Sequence, residues 1–130
     1  MMSHKHLRLA LLWWICACAL TLYVIYGCLI PPDRVPDFYT NDKFEHAGAY
    51  FAMAFWFSGL LERRHFPAMI VCLCALGALI EVAQYLMGLG RKADVRDFVA
   101  DCVGVAAAVI AAYLGLDSWL VHVERRLGLS

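Results

Sequence analysis

Four apolar runs, at 9–30, 44–61, 66–89 and 95–116, divide the chain, and short polar stretches separate them. About 20 apolar residues rising 1.5 Å each cross the roughly 30 Å hydrocarbon layer of a bilayer, so each run is read as a membrane helix. The polar breaks are Asp33 to Lys43, Glu62-Arg63-Arg64-His65 and the glycine-containing Gly90 to Asp94. After the last run, Trp119, Leu120, Val123 and Leu127 recur at helical spacing beside Glu124, Arg125 and Arg126. That pattern suits a short helix lying in the membrane interface. The pattern therefore predicts an all-α integral membrane bundle of four transmembrane helices with a short C-terminal interfacial helix, forming one domain over 1–130.

Local signals refine the ends. Trp13 and Trp14 near one end of the first run, and Tyr23 and Tyr26 near the other, fit interfacial aromatic belts. Pro31-Pro32 stops that run, because proline cannot continue a helix. Asn41 or Asp42 is a good N-cap for the second helix, with Glu45 placed as in a capping box. Asp94 is the expected N-cap of the fourth. Gly48 with Ala52, and Gly104 with Ala108, form small-xxx-small pairs that permit close helix contact. Gly77 lies one turn before Glu81 on the same face and leaves room for a neighbouring helix.

Composition supports this reading. The chain of 130 residues is 63% hydrophobic and 17% charged, with a mean hydropathy of +0.67. Soluble domains are nearer half apolar and a quarter charged. A separate soluble catalytic domain within these 130 residues is therefore not expected. Formal net charge is zero, and no basic stripe with interleaved aromatics occurs, which sets nucleic-acid binding aside. Cys16/Cys18 and Cys72/Cys74 are two residues apart, a helical spacing that suits neither a joint metal site nor a disulfide. The start, with His4, Lys5, His6 and Arg8, resembles a signal peptide, but the length of the following run predicts an uncleaved first span. With both termini cytoplasmic, the inner side carries Lys5, Arg8, Arg63, Arg64, Arg125 and Arg126, and the outer side Arg34, Lys43, Arg91, Lys92 and Arg96. This six-to-five margin favours cytoplasmic termini.

An up-and-down bundle brings the start of the second helix, the end of the third and the start of the fourth to one membrane face. Asp42, Lys43, His46, Glu81, Gln84, Arg91, Asp94, Arg96, Asp97 and Asp101 gather there. Asp94, Asp97 and Asp101 recur at three and four and so share a helical face. Glu81 lies about 9 Å inside its run. An acid at that depth costs about 2.5–3.5 kcal/mol even on the mildest insertion scale. Arg91 and Arg96 are the expected cationic partners, and Gln84 a two-way hydrogen bonder. Glu81, His46 and Asp97 are the candidate acid–base residues. Asp42, Lys43, Gln84, Arg91, Asp94 and Asp101 are the candidate ligand-binding residues, with Arg91 and Lys43 able to clamp a phosphate or carboxylate. His46 with Glu81 and the aspartates can hold a divalent ion, but no tight His/Cys spacing supports zinc, so no metal or cofactor is assigned. The opposite face holds only Glu62-Arg63-Arg64-His65 and the termini, read as ordinary anchors. The bland alternative is that the polar groups merely lock helix ends together, as in a membrane accessory subunit. A proton relay lacks the polar path through the bundle that it would need.

Asp42-Lys43-x-x-His46 with Tyr50, followed by Glu81-x-x-Gln84 and then Arg91-x-x-Asp94-x-x-Asp97 with Gly104, resembles the two motifs of the VanZ-like family. The likeness covers helices two to four, and helix one by position. It implies a small polytopic membrane protein; the founding member is associated with low-level teicoplanin resistance. The family usually has Asn where this chain has Asp101. The expected ligand is an anionic or polar headgroup, such as that of a lipid-linked cell-wall precursor, bound at the outer face of the cell membrane.

Overall fold

The structure is a computed structural model that describes residues 5–30, 42–88 and 94–129, with Asp42 described by its backbone alone. The described residues form α1 (Ala10–Leu29), α2 (Asp42–Leu60), α3 (Phe66–Met87), α4 (Val95–Tyr113) and α5 (Trp119–Arg126), with 3-10 turns at Arg63–His65 and Leu116–Ser118. The all-helical class follows from the apolar runs.

Among the described residues two helical segments, Ala10–Leu29 and Arg63–Met87, are long and apolar enough to cross a membrane. A third is added if α4 and the following Leu116–Arg126, bent by 87°, form one broken span. The expectation of four spans is thus met only as two to three by length and composition. The polar Lys43, Glu45 and His46 at the start of α2, and Arg96, Asp97 and Asp101 in α4, account for the difference. They are the same residues that make these helices chemically interesting.

Each helix end has a local cause. Ile30 is extended, with ψ 153°, as the residue before Pro31 must be to avoid the proline ring. Pro67 sits in the first turn of α3, where its missing N–H costs nothing. Gly88 ends α3 in the left-handed region at φ 59°, the usual glycine C-cap. Asp94 caps α4 by accepting from the Arg96 backbone N–H. Gly115, at φ 111°, makes the bend into α5.

The most extensive packing is α2 against α4, where the backbones nearly touch. A Cβ on Gly104 would overlap the Ala47 carbonyl oxygen and stand 3.0 Å from Phe51 N. Tyr50, Met53 and Ala54 of α2, Leu73 of α3, and Val105, Ala108 and Ala112 of α4 form the core around this crossing. The other small pair behaves differently. Gly48 and Ala52 are exposed, and a Cβ on Gly48 would meet nothing within 4 Å. Among the described residues they pack no neighbouring helix. Leu11, Leu12, Ile15 and Leu22 of α1, Val71, Leu79, Val82 and Leu86 of α3, and Val99, Val103 and Ile110 of α4 all face outward. So much outward apolar surface is stable only against lipid or another apolar body.

The end of the bundle expected to carry simple anchors carries a buried polar network instead. Glu124 is 3% exposed. It accepts from Arg8 N and Leu9 N and from Trp13 Nε1, each at 2.8 Å. Glu124 thereby caps the orphan N–H groups at the start of α1. Burial alone would raise its carboxyl, but these N–H donors outweigh it and hold the group below its ordinary range. Asp117 accepts from Arg63 Nε at 3.0 Å and Nη2 at 3.2 Å, and Lys5 Nζ lies 3.5 Å away. Trp119 packs against Phe55 and Trp56, so α5, expected as an interfacial helix, docks on the protein. Lys5 and Arg63 on this side, and Lys43 on the other, are held in internal ion pairs. The count of basic residues per side therefore overstates the topology signal at both ends.

Hydrogen bonds from Arg63 hold the Asp117 carboxyl below its ordinary value, against the opposing effect of burial. A depressed folded-state value gives stability that is complete above the unfolded value near 3.9 and is lost as pH falls through the folded one. The thermal midpoint of the purified protein is therefore expected to fall between about pH 6 and about pH 3. Asp117→Asn should remove part of that slope. Identical slopes for the two proteins would contradict the assignment.

Candidate functional site

The first turns of α2 and α4 and the last turns of α3 converge at the other end of the bundle. His46, on α2, is 6% exposed and lies between two acids of α4. Its Nδ1–H donates to Asp101 Oδ1 at 2.9 Å, and its Nε2 lies 3.7 Å from Asp97 Oδ2. Lys43, one turn earlier, donates to Asp94 Oδ2 at 3.0 Å and also to Asp97 Oδ1. Asp94 thus has two duties, capping α4 and tying it to α2. The Arg96 backbone N–H and the Lys43 ammonium hold its carboxyl below the ordinary value, so it stays ionised at neutral pH.

The contribution of α3 comes from Glu81 and Gln84, buried at 9% and 4% exposure. Glu81 Oε2 accepts from the Asp94 backbone N–H at 2.8 Å, which fastens the end of α3 to the start of α4. Gln84 Nε2 donates to the Cys28 carbonyl at 2.8 Å. That bond fixes the amide orientation, because only its nitrogen can donate to a carbonyl. Below them, Gly77 leaves the space that lets α4 come close. A Cβ there would stand 2.9 Å from Asp101 Oδ2 and 3.5 Å from Tyr50 Oη. The expected role of Gly77 therefore appears at Asp101 rather than at Glu81.

Four buried side-chain polar atoms have no hydrogen-bond partner among the described residues; His65 Nδ1 is at the opposite end of the bundle, and the other three, Glu81 Oε1, Gln84 Oε1 and Tyr50 Oη, lie here. Two are obligate acceptors when Glu81 is ionised, and the hydroxyl can donate or accept. Leaving such a group dry costs about 1–3 kcal/mol, so three in one region mark a place built to receive something. The acceptors ask for hydroxyl or ammonium donors, or for a cation.

The structure brings together Lys43, His46, Glu81, Gln84, Asp94, Asp97 and Asp101. Arg91 lies outside the described residues, as does the side chain of Asp42. Arg96 differs from expectation. It is exposed and makes no ion pair among the described residues, and Lys43 is the cation that reaches the aspartates. Its position at the second residue of α4 turns it away from the face shared by Asp94, Asp97 and Asp101. Sequence reasoning missed Asp117 and Glu124 at the opposite end. The available signal was the four-residue step from Leu120 to Glu124, which places both on one face of α5.

A family model described as VanZ/LLP1 matches residues 29–116. That range takes in α2, α3 and α4 and every site residue above; all of α1 but Leu29 lies outside it. No curated protein matches the chain, and no solved structure does.

Proposed function

Because the chain belongs to the VanZ/LLP1 family, we propose that it is a cell-envelope membrane protein whose polar site binds the headgroup of a membrane-embedded ligand. The observation that carries this reading is the set of unpartnered buried atoms, Glu81 Oε1, Gln84 Oε1 and Tyr50 Oη, at one end of the bundle beside His46 and Asp101. A lipid-linked cell-wall precursor fits the chemistry. Its sugar hydroxyls and peptide ammonium supply donors for the open acceptors, and its phosphates suit a guanidinium such as that of Arg91. In this reading all four long helices cross the bilayer, both termini are cytoplasmic and the site faces outward. Any proton transfer to the bound headgroup falls to Glu81, with His46 held in place by Asp101 and Asp97.

Glu81→Gln and Arg91→Ala are expected to abolish the effect of the protein on glycopeptide susceptibility, in a host where the wild type shows one, at normal protein levels. Unchanged susceptibility at those levels would count heavily against the proposal.

One observation favours a second reading. Lys43–Asp97, His46–Asp101 and Asp94–Glu81 all link different helices, as a structural lock in an accessory subunit would. Under that reading the variants lower the amount of folded protein, and any change in susceptibility merely follows the amount.

A further inference from the structure

We infer that His46, Glu81 and Asp101 form a binding site for one divalent transition-metal ion. One donor atom from each of these three buried residues lies within 4.8 Å of the other two. They come from α2, α3 and α4, so the site exists only in the folded bundle. The inference does not depend on the headgroup reading.

The donor chemistry selects the ion. One imidazole nitrogen and two carboxylate oxygens suit Mn2+, Fe2+ or Zn2+ and offer no soft ligand for copper(I). A tetrahedral ion with bonds near 2.1 Å holds its donors about 3.4 Å apart. The three side chains therefore close by at most about 1.4 Å, which rotation about their χ angles supplies. The surroundings also match a metal site. Glu81 has one oxygen fixed by the Asp94 backbone N–H and the other without a partner among the described residues. A metal-bound histidine usually gives its second ring N–H to a carboxylate. With Nδ1 on the ion, Nε2 faces Asp97 at 3.7 Å, and Lys43 anchors Asp97 from the far side. Gly77 keeps the space beside Asp101 clear, and Tyr50 Oη borders the same point on α3. Loading moves the Nδ1 proton to Nε2, where it faces Asp97, and because protons compete with the ion for the imidazole and carboxylates, binding weakens at low pH.

The test uses the full-length protein in detergent, stripped with a chelator and titrated with Mn2+ under electron paramagnetic resonance. The expected result is one saturable Mn2+ per chain, displaced by Zn2+, with hyperfine coupling to one imidazole nitrogen. Glu81→Gln and Asp101→Asn should each weaken binding at least about tenfold. Asp101→Glu, which keeps a carboxylate, should bind better than Asp101→Asn, and Asp117→Asn at the opposite end should match the wild type. Should a variant misfold, the wild-type titration and its nitrogen coupling decide alone. Absence of a saturable site on folded wild type, lack of nitrogen coupling, or wild-type affinity in Glu81→Gln and Asp101→Asn would overturn the inference.

Discussion

Replacing Gly104 by alanine is expected to destabilise the bundle by about 3 kcal/mol or more, the upper end of the overpacking range. The added Cβ would overlap the Ala47 carbonyl oxygen and crowd Phe51 N. Both are backbone atoms of α2, so no side-chain rotation relieves the clash. Only separation of α2 from α4 does, and that opens the core around Tyr50, Met53, Ala108 and Ala112. It also pulls His46 from Asp101 and Lys43 from Asp97, which hold the site across the same crossing. Interiors are close-packed, so such a shift is not absorbed locally. Thermal unfolding of the purified protein, followed by size-exclusion of the heated sample, measures the effect. Gly48→Ala is the matched control. Its Cβ would meet nothing within 4 Å, and helix propensity alone predicts neutrality or a gain of up to about 1 kcal/mol. Equal midpoints for the two variants would show that the α2–α4 crossing is looser than described.

Gly104 and Gly48 also show what was legible beforehand. Both begin small-xxx-small pairs, yet only Gly104 lies at a helix contact. In a soluble helix, polar residues mark the outer face and so reveal the inner one. Here Val99, Val103 and Ile110 face outward and are as apolar as the buried Val105 and Val109. Lipid removes the contrast on which a face assignment depends. Helix ends were easier to read, because Pro31, Pro67, Gly88 and Asp94 act through backbone chemistry that is the same in lipid and water.

The convergence of α2, α3 and α4 was legible from connectivity, because an up-and-down bundle allows little else. The pairing within it was less so. Of the two arginines expected to pair with the acids, Arg96 turns away and Arg91 lies outside the described residues; Lys43 reaches Asp94 and Asp97 because it enters on α2, the helix packed closest to α4. Asp101 lies where it meets His46 and adds a carboxylate beside Glu81. At the opposite end, Glu124 stands among the charges of the expected interfacial helix, apart from its apolar positions, yet it is buried. Charge is normally a sound guide to exposure, and it failed there because three N–H donors at the start of α1 needed an acceptor.

The second large effect concerns the ligand. Glu81→Gln replaces one buried carboxylate oxygen by an NH2 group and leaves the volume unchanged. The Asp94 backbone N–H can still be satisfied by the remaining carbonyl oxygen, so the helix junction persists. The open acceptor becomes a donor, and a headgroup hydroxyl or ammonium placed against it loses a charge-assisted hydrogen bond. Such bonds are worth about 1.5–3 kcal/mol, or roughly one to two decades of affinity. A lock of helix ends would instead show the change in stability.

The decisive measurement is native mass spectrometry of the wild type and Glu81→Gln in nanodiscs of neutral lipid carrying a polyprenyl-diphosphate-linked wall precursor, with thermal midpoints taken in parallel. A headgroup site predicts one precursor bound per wild-type chain, and binding weakened at least about tenfold in Glu81→Gln with little change in midpoint. Failure of the folded wild type to retain the precursor, or equal retention by both proteins, would contradict it.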